Sequence, residues 1–160
     1  MMIAPALLLI GPSGVGKSTV APHVEARGFL HLDIDRRHGF AANGLRREWH
    51  LFSSQMNAKP LWNFLQKRVA AAGKQGVFIS LPSTCVLSCS HVEIAKQAGI
   101  TTVLLWGTEE QCKSARRSRD EIGGRPFDAA RYKRSNAEAF QVYGTADFDD
   151  FRIEVFNRFG

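Results

Sequence analysis

The sequence predicts an α/β protein in which a parallel sheet carries helices on both faces. Short apolar segments alternate with amphipathic segments along the 160 residues, as strands and helices do in this class. The first apolar segment, Ala6–Ile10, is continuous rather than alternating, which is typical of a strand buried on both faces. No internal repeat or linker interrupts the pattern, so we expect residues 1–160 to form a single domain.

Five strands and at least six helices are predicted from apolar spacing and from the glycines and prolines between segments. The predicted strands are Ala6–Ile10, Phe29–Ile34, Val77–Ser80, Thr101–Trp106 and Phe151–Phe156. The first predicted helix runs from after Gly16 to about Arg27, and two or more helices are predicted between residues 36 and 72. The remaining predicted helices are His91–Ala98, Glu109 to about Ser118, and Asp128–Tyr143.

The composition is 44% apolar and 22% charged, which excludes disordered, collagen-like and coiled-coil chains. Lys and Arg number 21 against 15 Asp and Glu, and the net charge of +6 suits a nucleotide, a phosphorylated metabolite or nucleic acid, although a merely basic surface explains it equally well. No apolar run reaches the ~18 residues of a membrane helix. The chain has three cysteines and no C-x-x-C spacing, so we expect neither a disulfide framework nor a zinc site. The lack of predicted disulfides in turn favours a reducing, cytoplasmic setting.

Residues Gly11–Ser18 (GPSGVGKS) match the phosphate-binding pattern G-x-x-x-x-G-K-[ST] between a predicted strand and a predicted helix. Glycines allow the tight backbone whose N–H groups point at phosphate oxygens, and the helix adds its positive end. Lys17 would reach the outer phosphates and Ser18 would ligate Mg²⁺. This P-loop predicts that the chain binds a nucleoside triphosphate through Gly11, Ser13, Gly14, Val15, Gly16, Lys17, Ser18 and Thr19.

A pair of aspartates, Asp33 and Asp35, follows the second predicted strand. Residues i and i+2 of a strand point to the same face, so both carboxylates project together beside the P-loop. One can hold the metal ion, and the other can accept a proton from an attacking hydroxyl or position that hydroxyl.

The third predicted strand ends in Ser80, Leu81 and Pro82, where a Walker B strand would carry an acid. The missing acid argues against a motor ATPase, and the missing Asn-Lys-x-Asp motif argues against a GTPase. Metal support therefore falls on Asp33.

Four arginines lie within ten residues, close to two glycines and a proline: Arg116, Arg117, Arg119 and Arg125. We expect residues 119–127 to form a mobile loop, and an arginine-bearing lid to extend over about residues 116–127. Such a lid would exclude water and neutralise charge on a transferred phosphoryl group. A basic helix end with an exposed loop, and a nucleic-acid surface, are the alternatives.

These features resemble, in their order, the shikimate kinase branch of the small P-loop metabolite kinases. They are the P-loop, the Asp33-x-Asp35 pair and the lid pattern from Ala115 to Pro126. Gly44–Glu48 (GLRRE) is similar to the acceptor-contacting segment of that family.

The resemblance implies a five-stranded parallel sheet of order 2-3-1-4-5, ATP with Mg²⁺, and a small hydroxylated, anionic acceptor bound by a helical region of about residues 36–72. By position, Asp33 supports the metal, Asp35 meets the acceptor hydroxyl, Arg46 meets an acceptor carboxylate, Arg116 lies against adenine beside Arg119, and Arg125 reaches the phosphates. Lys17, Asp35 and Arg125 are the catalytic residues so implied. Apart from the resemblance, we expect a monomer or weak dimer, and the lack of a long apolar run predicts no membrane association.

Three departures from the family pattern fall on the acceptor side. Leu81-Pro82-Ser83 replaces a run of glycines after strand three, the segment between Asp35 and Arg46 is shorter, and Asn136 stands near a family arginine. We therefore expect a phosphotransferase, without expecting shikimate as its acceptor.

Two other functions stay open. Asp33-x-x-Arg36 and the neighbouring Arg37 are similar to the base-plus-arginine arrangement of 5′-hydroxyl polynucleotide kinases, whose charged substrate agrees with the net charge. A nucleotide-binding protein without turnover is the other possibility, and the replaced glycines favour it. The five histidines show no paired spacing and are interpreted as structural or surface residues.

Overall fold

The computed structural model describes residues 3–34 and 39–156. Its strands are β1 Ala6–Ile10, β2 Phe29–Asp33, β3 Gly76–Ser80, β4 Ile100–Trp106 and β5 Arg152–Glu154. Its helices are α1 Lys17–Ala26, α2 Gly39–Ala42, α3 Arg46–Gln55, α4 Lys59–Ala72, α5 Cys89–Ala98, α6 Glu109–Ile122 and α7 Ala129–Tyr143, followed by a 3₁₀ turn at Ala146–Phe148.

The strands form a parallel sheet in the order β2-β3-β1-β4-β5, which confirms the predicted fold class and strand order. Leu9 near the end of β1 and Asp33 at the end of β2 are both in register with Ser80 at the end of β3. Because ligands of parallel sheets bind beyond the carboxyl ends of the strands, this register defines the edge at which the site lies.

Helices cover both faces of the sheet because β1 is apolar on both of its faces. Leu8 and Ile10 belong to a core cluster with residues of α3, α4 and α5, whereas Leu9 belongs to a second cluster with residues of α1 and α6. Alternate residues of a strand point to opposite faces, so the continuous apolar run supplies both clusters. Helix α7 contributes to both, with Tyr143 in the first and Tyr132 in the second.

The region between β2 and β3 folds into α2, α3 and α4, in agreement with the prediction of at least two helices. Leu45, Phe52, Leu61 and Leu65 recur at helical spacing and have no exposed surface. Full burial of such a side chain contributes about 1.5–3 kcal/mol, so apolar packing against the sheet accounts for the position of these helices.

Helix α6 continues to Ile122, so the prediction of a loop over 119–127 is wrong at its start. Asp120 explains the extension, because its carboxylate accepts a hydrogen bond from Arg116 one turn earlier at 3.2 Å. Oppositely charged i,i+4 pairs stabilise helices. The non-helical connection to α7 is therefore residues 123–128.

Strand β5 is shorter than the predicted Phe151–Phe156. Arg152, Ile153 and Glu154 are in register with β4, and Val155 adds one backbone hydrogen bond, from its N–H group to the Trp106 carbonyl oxygen at 3.0 Å. Within residues 3–34 and 39–156, no helix combines the length and the apolar character that crossing a bilayer requires.

Candidate active site

The P-loop connects β1 to α1 and follows a backbone path that two of its glycines make possible. Gly11 and Gly14 have φ values of +150° and +90°. A Cβ atom on Gly11 would lie 2.4 Å from the carbonyl oxygen of Leu105, and one on Gly14 would lie 2.1 Å from that of Cys112. The sequence needs glycine here because β4 and α6 pack directly on the loop.

Helix α1 begins inside the motif, at Lys17, with Gly16 as its N-cap residue. No side chain caps this end, and the first turn carries no acidic residue. The first N–H groups of a helix have no intrahelical partner and lie at the positive end of the helix dipole. The beginning of α1 is therefore suited to bind an anion such as a phosphate group.

The side chain of Lys17 lies within the loop, with a relative exposure of 6%. Its ammonium group donates hydrogen bonds to the carbonyl oxygen of Gly11 and, at 3.3 Å, to that of Pro12. A buried ammonium group needs such acceptors. The same group is positioned to bind phosphate oxygens that enter the loop.

The side chains of Val15 and Thr19, two further residues of the predicted nucleotide-binding set, differ in burial. The Val15 side chain is buried in the cluster between α1 and α6, so only its backbone faces the loop. Thr19 is exposed in the first turn of α1, and its N–H group donates to the Gly16 carbonyl oxygen at 3.1 Å.

A cavity of about 530 Å³ lies over the P-loop. It is lined by Lys17 and Ser18 of the P-loop and by three arginines, namely Arg116, Arg119 and Arg125. The structure therefore brings the predicted phosphate-binding residues and the predicted arginines to one cavity. Four cationic side chains in its lining make it suited to a polyanionic ligand.

Asp120 arranges two of these arginines. It is 7% exposed, and it accepts hydrogen bonds from Arg116 Nε at 3.2 and 3.3 Å while lying 3.7 Å from Arg125 Nη2. Arg116 Nη1 also donates to the hydroxyl oxygen of Ser13 in the P-loop. Arg117 points elsewhere, with its guanidinium 4.9 Å from the centre of the Phe127 ring.

A second cavity, of about 210 Å³, opens beside the first between α1 and the ends of β2 and β3. Both cavities share Lys17 and Ser18, and the second adds Asp33, Ser80, His31 and Glu25. The hydroxyl of Ser18 and the carboxylate of Asp33, the two predicted metal ligands, thus line the same space. Oxygen ligands of this kind suit Mg²⁺, so the residues present fit this ion.

His31 connects polar groups along this second cavity. Its Nδ1 lies 3.0 Å from Glu25 Oε1, its Nε2 lies 2.6 Å from Ser80 Oγ, and Ser80 Oγ donates to Asp33 Oδ1 at 3.4 Å. The imidazole ring stacks on Phe78 with 4.3 Å between ring centroids. These contacts fix the orientation of the residues around the Asp33 carboxylate.

Within the described ranges, no group of three or more His, Cys, Asp or Glu side chains converges on a metal position. Magnesium in nucleotide sites is commonly held by one or two protein ligands together with waters and substrate phosphates. The pair Ser18 and Asp33 is consistent with that arrangement.

Of the two predicted acceptor residues, the structure describes Arg46 alone, and Arg46 does not line these cavities. Arg46 is the first residue of α3 and is exposed, and it lines neither of the two cavities. Asp35, predicted as catalytic, lies outside the described residues, as do Arg36 and Arg37 of the polynucleotide-kinase alternative.

Four residues near the site were not assigned a role from the sequence: His31, Ser80, Tyr132 and Asn136. His31 lies two residues before Asp33 on the same strand, and this spacing alone places it on the same face. Tyr132 and Asn136 contact Ser13 from more than a hundred residues away in sequence, and no local pattern in the chain indicates such contacts.

Solved kinase structures resemble this fold. A gluconokinase from Sinorhizobium meliloti 1021 matches with a TM-score of 0.52 and 17% sequence identity, over 98% of this chain and 85% of that chain. A shikimate kinase from Acinetobacter baumannii in complex with shikimate has a TM-score of 0.47 and 19% identity, over 94% and 82%. A shikimate kinase from Bacteroides thetaiotaomicron has values of 0.47 and 16%, over 94% and 86%.

At 17% identity, the likeness to the gluconokinase concerns the fold, and it confirms the resemblance to small P-loop metabolite kinases at that level. Comparison of the sequence with curated proteins gives no match. A family model described as an AAA domain matches residues 7–140, a span that contains the P-loop, Asp33 and the site arginines. The chain therefore belongs to the AAA domain family of P-loop proteins.

Proposed function

We propose that this protein is a phosphotransferase that uses ATP and Mg²⁺ to phosphorylate a hydroxyl group of a small, anionic metabolite. The observation that carries the proposal is the cavity that Lys17 and Ser18 line together with Arg116, Arg119 and Arg125. Phosphoryl transfer requires little covalent chemistry from a protein, because catalysis consists mainly of positioning and charge stabilisation. A P-loop opposite several arginines provides both.

In this proposal, the backbone N–H groups at the start of α1 bind the phosphates, and Lys17 leaves its carbonyl acceptors to contact the outer ones. Charge on the transferred group increases as the bond to the leaving group breaks, and donors already in place stabilise that charge without reorganising. Arg125, which is exposed on the connection after α6 and lines the same cavity as Lys17, would reach the phosphates from that connection. Arg116 and Arg119 would lie along the nucleotide.

Ser18 and Asp33 would hold Mg²⁺, which neutralises phosphate charge when bound. Ser80 and His31 would keep the Asp33 carboxylate facing the cavity through the hydrogen bonds described above. Asp35 is proposed to accept or orient the acceptor's hydroxyl proton, and Arg46 to bind an anionic group of the acceptor. Both assignments rest on the family resemblance.

The connection of residues 123–128 and the end of α6 are proposed to act as a lid. Gly124 has a φ of +71°, and a Cβ atom there would have no neighbour within 4 Å, so this stretch has room to move. Closure would bring Arg125 toward the phosphates and exclude water, which otherwise competes with the acceptor for the phosphoryl group.

The test is an assay with Mg-ATP and a pooled set of hydroxylated metabolites, nucleosides and 5′-hydroxyl oligonucleotides, with products identified by mass. Lys17→Ala should reduce product formation by about 10³-fold, or ~4 kcal/mol of transition-state stabilisation. A product that persists at full rate in this variant would contradict the proposal. Tight ATP binding without any product would favour the non-catalytic alternative.

A second candidate, a kinase of nucleic-acid ends, is favoured by one observation. Exposed basic side chains continue along one face of α7, namely Arg131 and Arg134, which are three residues apart. Such a row of cations would follow a phosphate backbone. Binding of a 5′-hydroxyl oligonucleotide that weakens steeply with salt, together with an oligonucleotide product, would establish this candidate in place of the first.

A further inference from the structure

Ser13 of the P-loop is held by side chains from two helices. Its N–H group donates to Asn136 Oδ1 at 2.8 Å, and its carbonyl oxygen accepts from the Tyr132 hydroxyl at 2.6 Å. Its own hydroxyl oxygen accepts from Arg116 Nη1. All three polar groups of this residue are therefore occupied by partners from α6 and α7.

Asn136 is buried, with a relative exposure of 2%, and both ends of its amide are used. The oxygen accepts from Ser13, and Nδ2 donates to the carbonyl oxygen of Tyr132 at 2.9 Å. A buried amide is tolerated when its polar atoms have partners, and its loss leaves those partners unsatisfied. The amide thus links the P-loop to one turn of α7.

Tyr132 acts from the same helix, one turn earlier, and is 6% exposed. Burial raises the pKa of its hydroxyl, with smaller contributions from nearby Cys112 and Glu109. The hydroxyl therefore keeps its proton at neutral pH and remains a donor to Ser13. Phe127 packs near the ring at a centroid distance of 5.8 Å, so the residue after Pro126 also contributes to its position.

We propose that Asn136 and Tyr132 are positioning residues that hold the P-loop in its phosphate-binding conformation through Ser13. We refer to the two residues as the α7 clamp. Because these residues are 123 and 119 positions from Ser13, the contacts exist only when α7 is docked on the P-loop. The inference rests on the proposed nucleotide binding, but the clamp itself concerns the shape of the nucleotide-free loop.

The α7 clamp also determines which backbone N–H groups of the P-loop are available to bind phosphate. Because the Ser13 N–H group donates to Asn136, we expect phosphate oxygens to be bound by N–H groups that follow it in the motif, in contrast to the prediction that Ser13 itself binds the nucleotide. Without the hydrogen bonds from the α7 clamp, the nucleotide-free P-loop would lose its phosphate-binding conformation. It would then have to regain that conformation when the nucleotide binds. Recovery of order at the time of binding lowers affinity.

Tyr132→Phe tests the proposal with the removal of one oxygen atom. Tyr143→Phe is the matched control, because Tyr143 is on the same helix, is 1% exposed, and uses its hydroxyl to accept from the Leu87 N–H group at 2.9 Å, away from the P-loop. Both substitutions delete one buried hydrogen bond, so both are expected to lower the melting temperature. Tyr132→Phe removes a hydrogen bond to Ser13 of the P-loop, whereas Tyr143→Phe removes one to Leu87.

Two readouts separate positioning from general stability. Amide hydrogen exchange of residues 11–18 in nucleotide-free protein should rise about tenfold in Tyr132→Phe and stay within twofold of wild type in Tyr143→Phe. The Kd for Mg-ADP, measured by calorimetry, should rise about fivefold to tenfold in Tyr132→Phe alone. Asn136→Ala should shift both readouts in the same direction and further, because it removes a donor and an acceptor.

Equal changes in the two tyrosine variants, or no change in loop exchange in Tyr132→Phe, would overturn the clamp. If loop exchange rises selectively but wild-type protein does not bind Mg-ADP, the clamp stands and the proposed phosphotransferase function fails. The two failures are therefore distinguishable in the same set of samples.

Discussion

The proposed nucleotide side and the proposed acceptor side of the sheet are built from different interactions. On the nucleotide side, backbone groups and buried polar side chains define the site, with Gly14 against the Cys112 carbonyl oxygen and Asn136 against the Ser13 N–H group. On the acceptor side, α3 and α4 are placed by apolar packing of residues such as Phe52, and Arg46 extends into solvent.

This difference explains which half of the function a sequence can reveal. Backbone geometry around phosphates demands specific residues at fixed spacing, so it leaves a motif. Apolar packing tolerates many combinations of side chains of similar volume, so it leaves only a periodic pattern. The reaction class is therefore much easier to infer than the acceptor, and the following predictions contrast the two sides directly.

The largest contrast is expected between two glycines with positive φ. Gly14→Ala should lower the free energy of unfolding by about 3 kcal/mol or more and abolish nucleotide binding, because a Cβ atom would lie 2.1 Å from a backbone oxygen. Gly73→Ala, at the end of α4 with φ +63° and no neighbour within 4 Å, should cost only about 1 kcal/mol. Chemical denaturation and ADP titration measure both; equal losses of stability would refute the contrast.

Asp33→Asn should reduce kcat by about 100-fold, or ~2.7 kcal/mol, because it removes the charge proposed to support Mg²⁺ next to Ser18. The Mg²⁺ concentration for half-maximal activity should also rise. Asp150→Asn, which removes the same charge from an exposed turn, is the control. A magnesium titration that superimposes on wild type would remove Asp33 from the metal site.

On the acceptor side, Arg46→Ala should leave stability within about 0.5 kcal/mol of wild type, since the residue is exposed. If Arg46 binds the acceptor, KM for the acceptor should rise about tenfold and KM for ATP should not change, as expected for loss of a charge-assisted contact. The neighbouring Arg47→Ala is the control. Unchanged acceptor KM in both variants would show that the acceptor binds elsewhere.

The smallest effect concerns the rate at which two cysteine thiols react, Cys112 on the proposed nucleotide side and Cys85 on the proposed acceptor side. Burial raises the pKa of Cys112, below the P-loop, to about 12, with a smaller opposing effect of Lys17, and raises that of Cys85 to about 11. A raised thiol pKa means less thiolate at pH 8, so both should react slowly with a disulfide reagent and faster as pH rises toward 10.

Mg-ADP should slow the labelling of Cys112 severalfold and leave Cys85 unchanged, because the ligand stabilises the loop that covers Cys112. Peptide mapping after timed labelling measures this, with the partly exposed Cys89 as an internal reference. Equal protection of Cys85 and Cys112 would indicate a global rather than a local effect of nucleotide.

The P-loop and most helices were predictable because residue spacing within a short segment indicates them. The strand order was predictable from the family resemblance. The end of α6 was missed because Asp120 gains its stabilising role from burial as well as from Arg116 one turn earlier. The contacts of His31 with Ser80, and of Asn136 with Ser13, join residues 49 and 123 positions apart. Only the folded sheet and the docked α7 bring these pairs together.

The glycines of the P-loop have a consequence for how this family is recognised. Gly11 and Gly14 are required by the closeness of β4 and α6, whether or not a nucleotide is bound. A descendant that had lost its chemistry would therefore retain both glycines as long as it kept its fold. Under the proposed function, its loss would become visible first at Ser18 and Asp33, whose side chains line the cavity, and these positions would distinguish an active homologue from an inactive one.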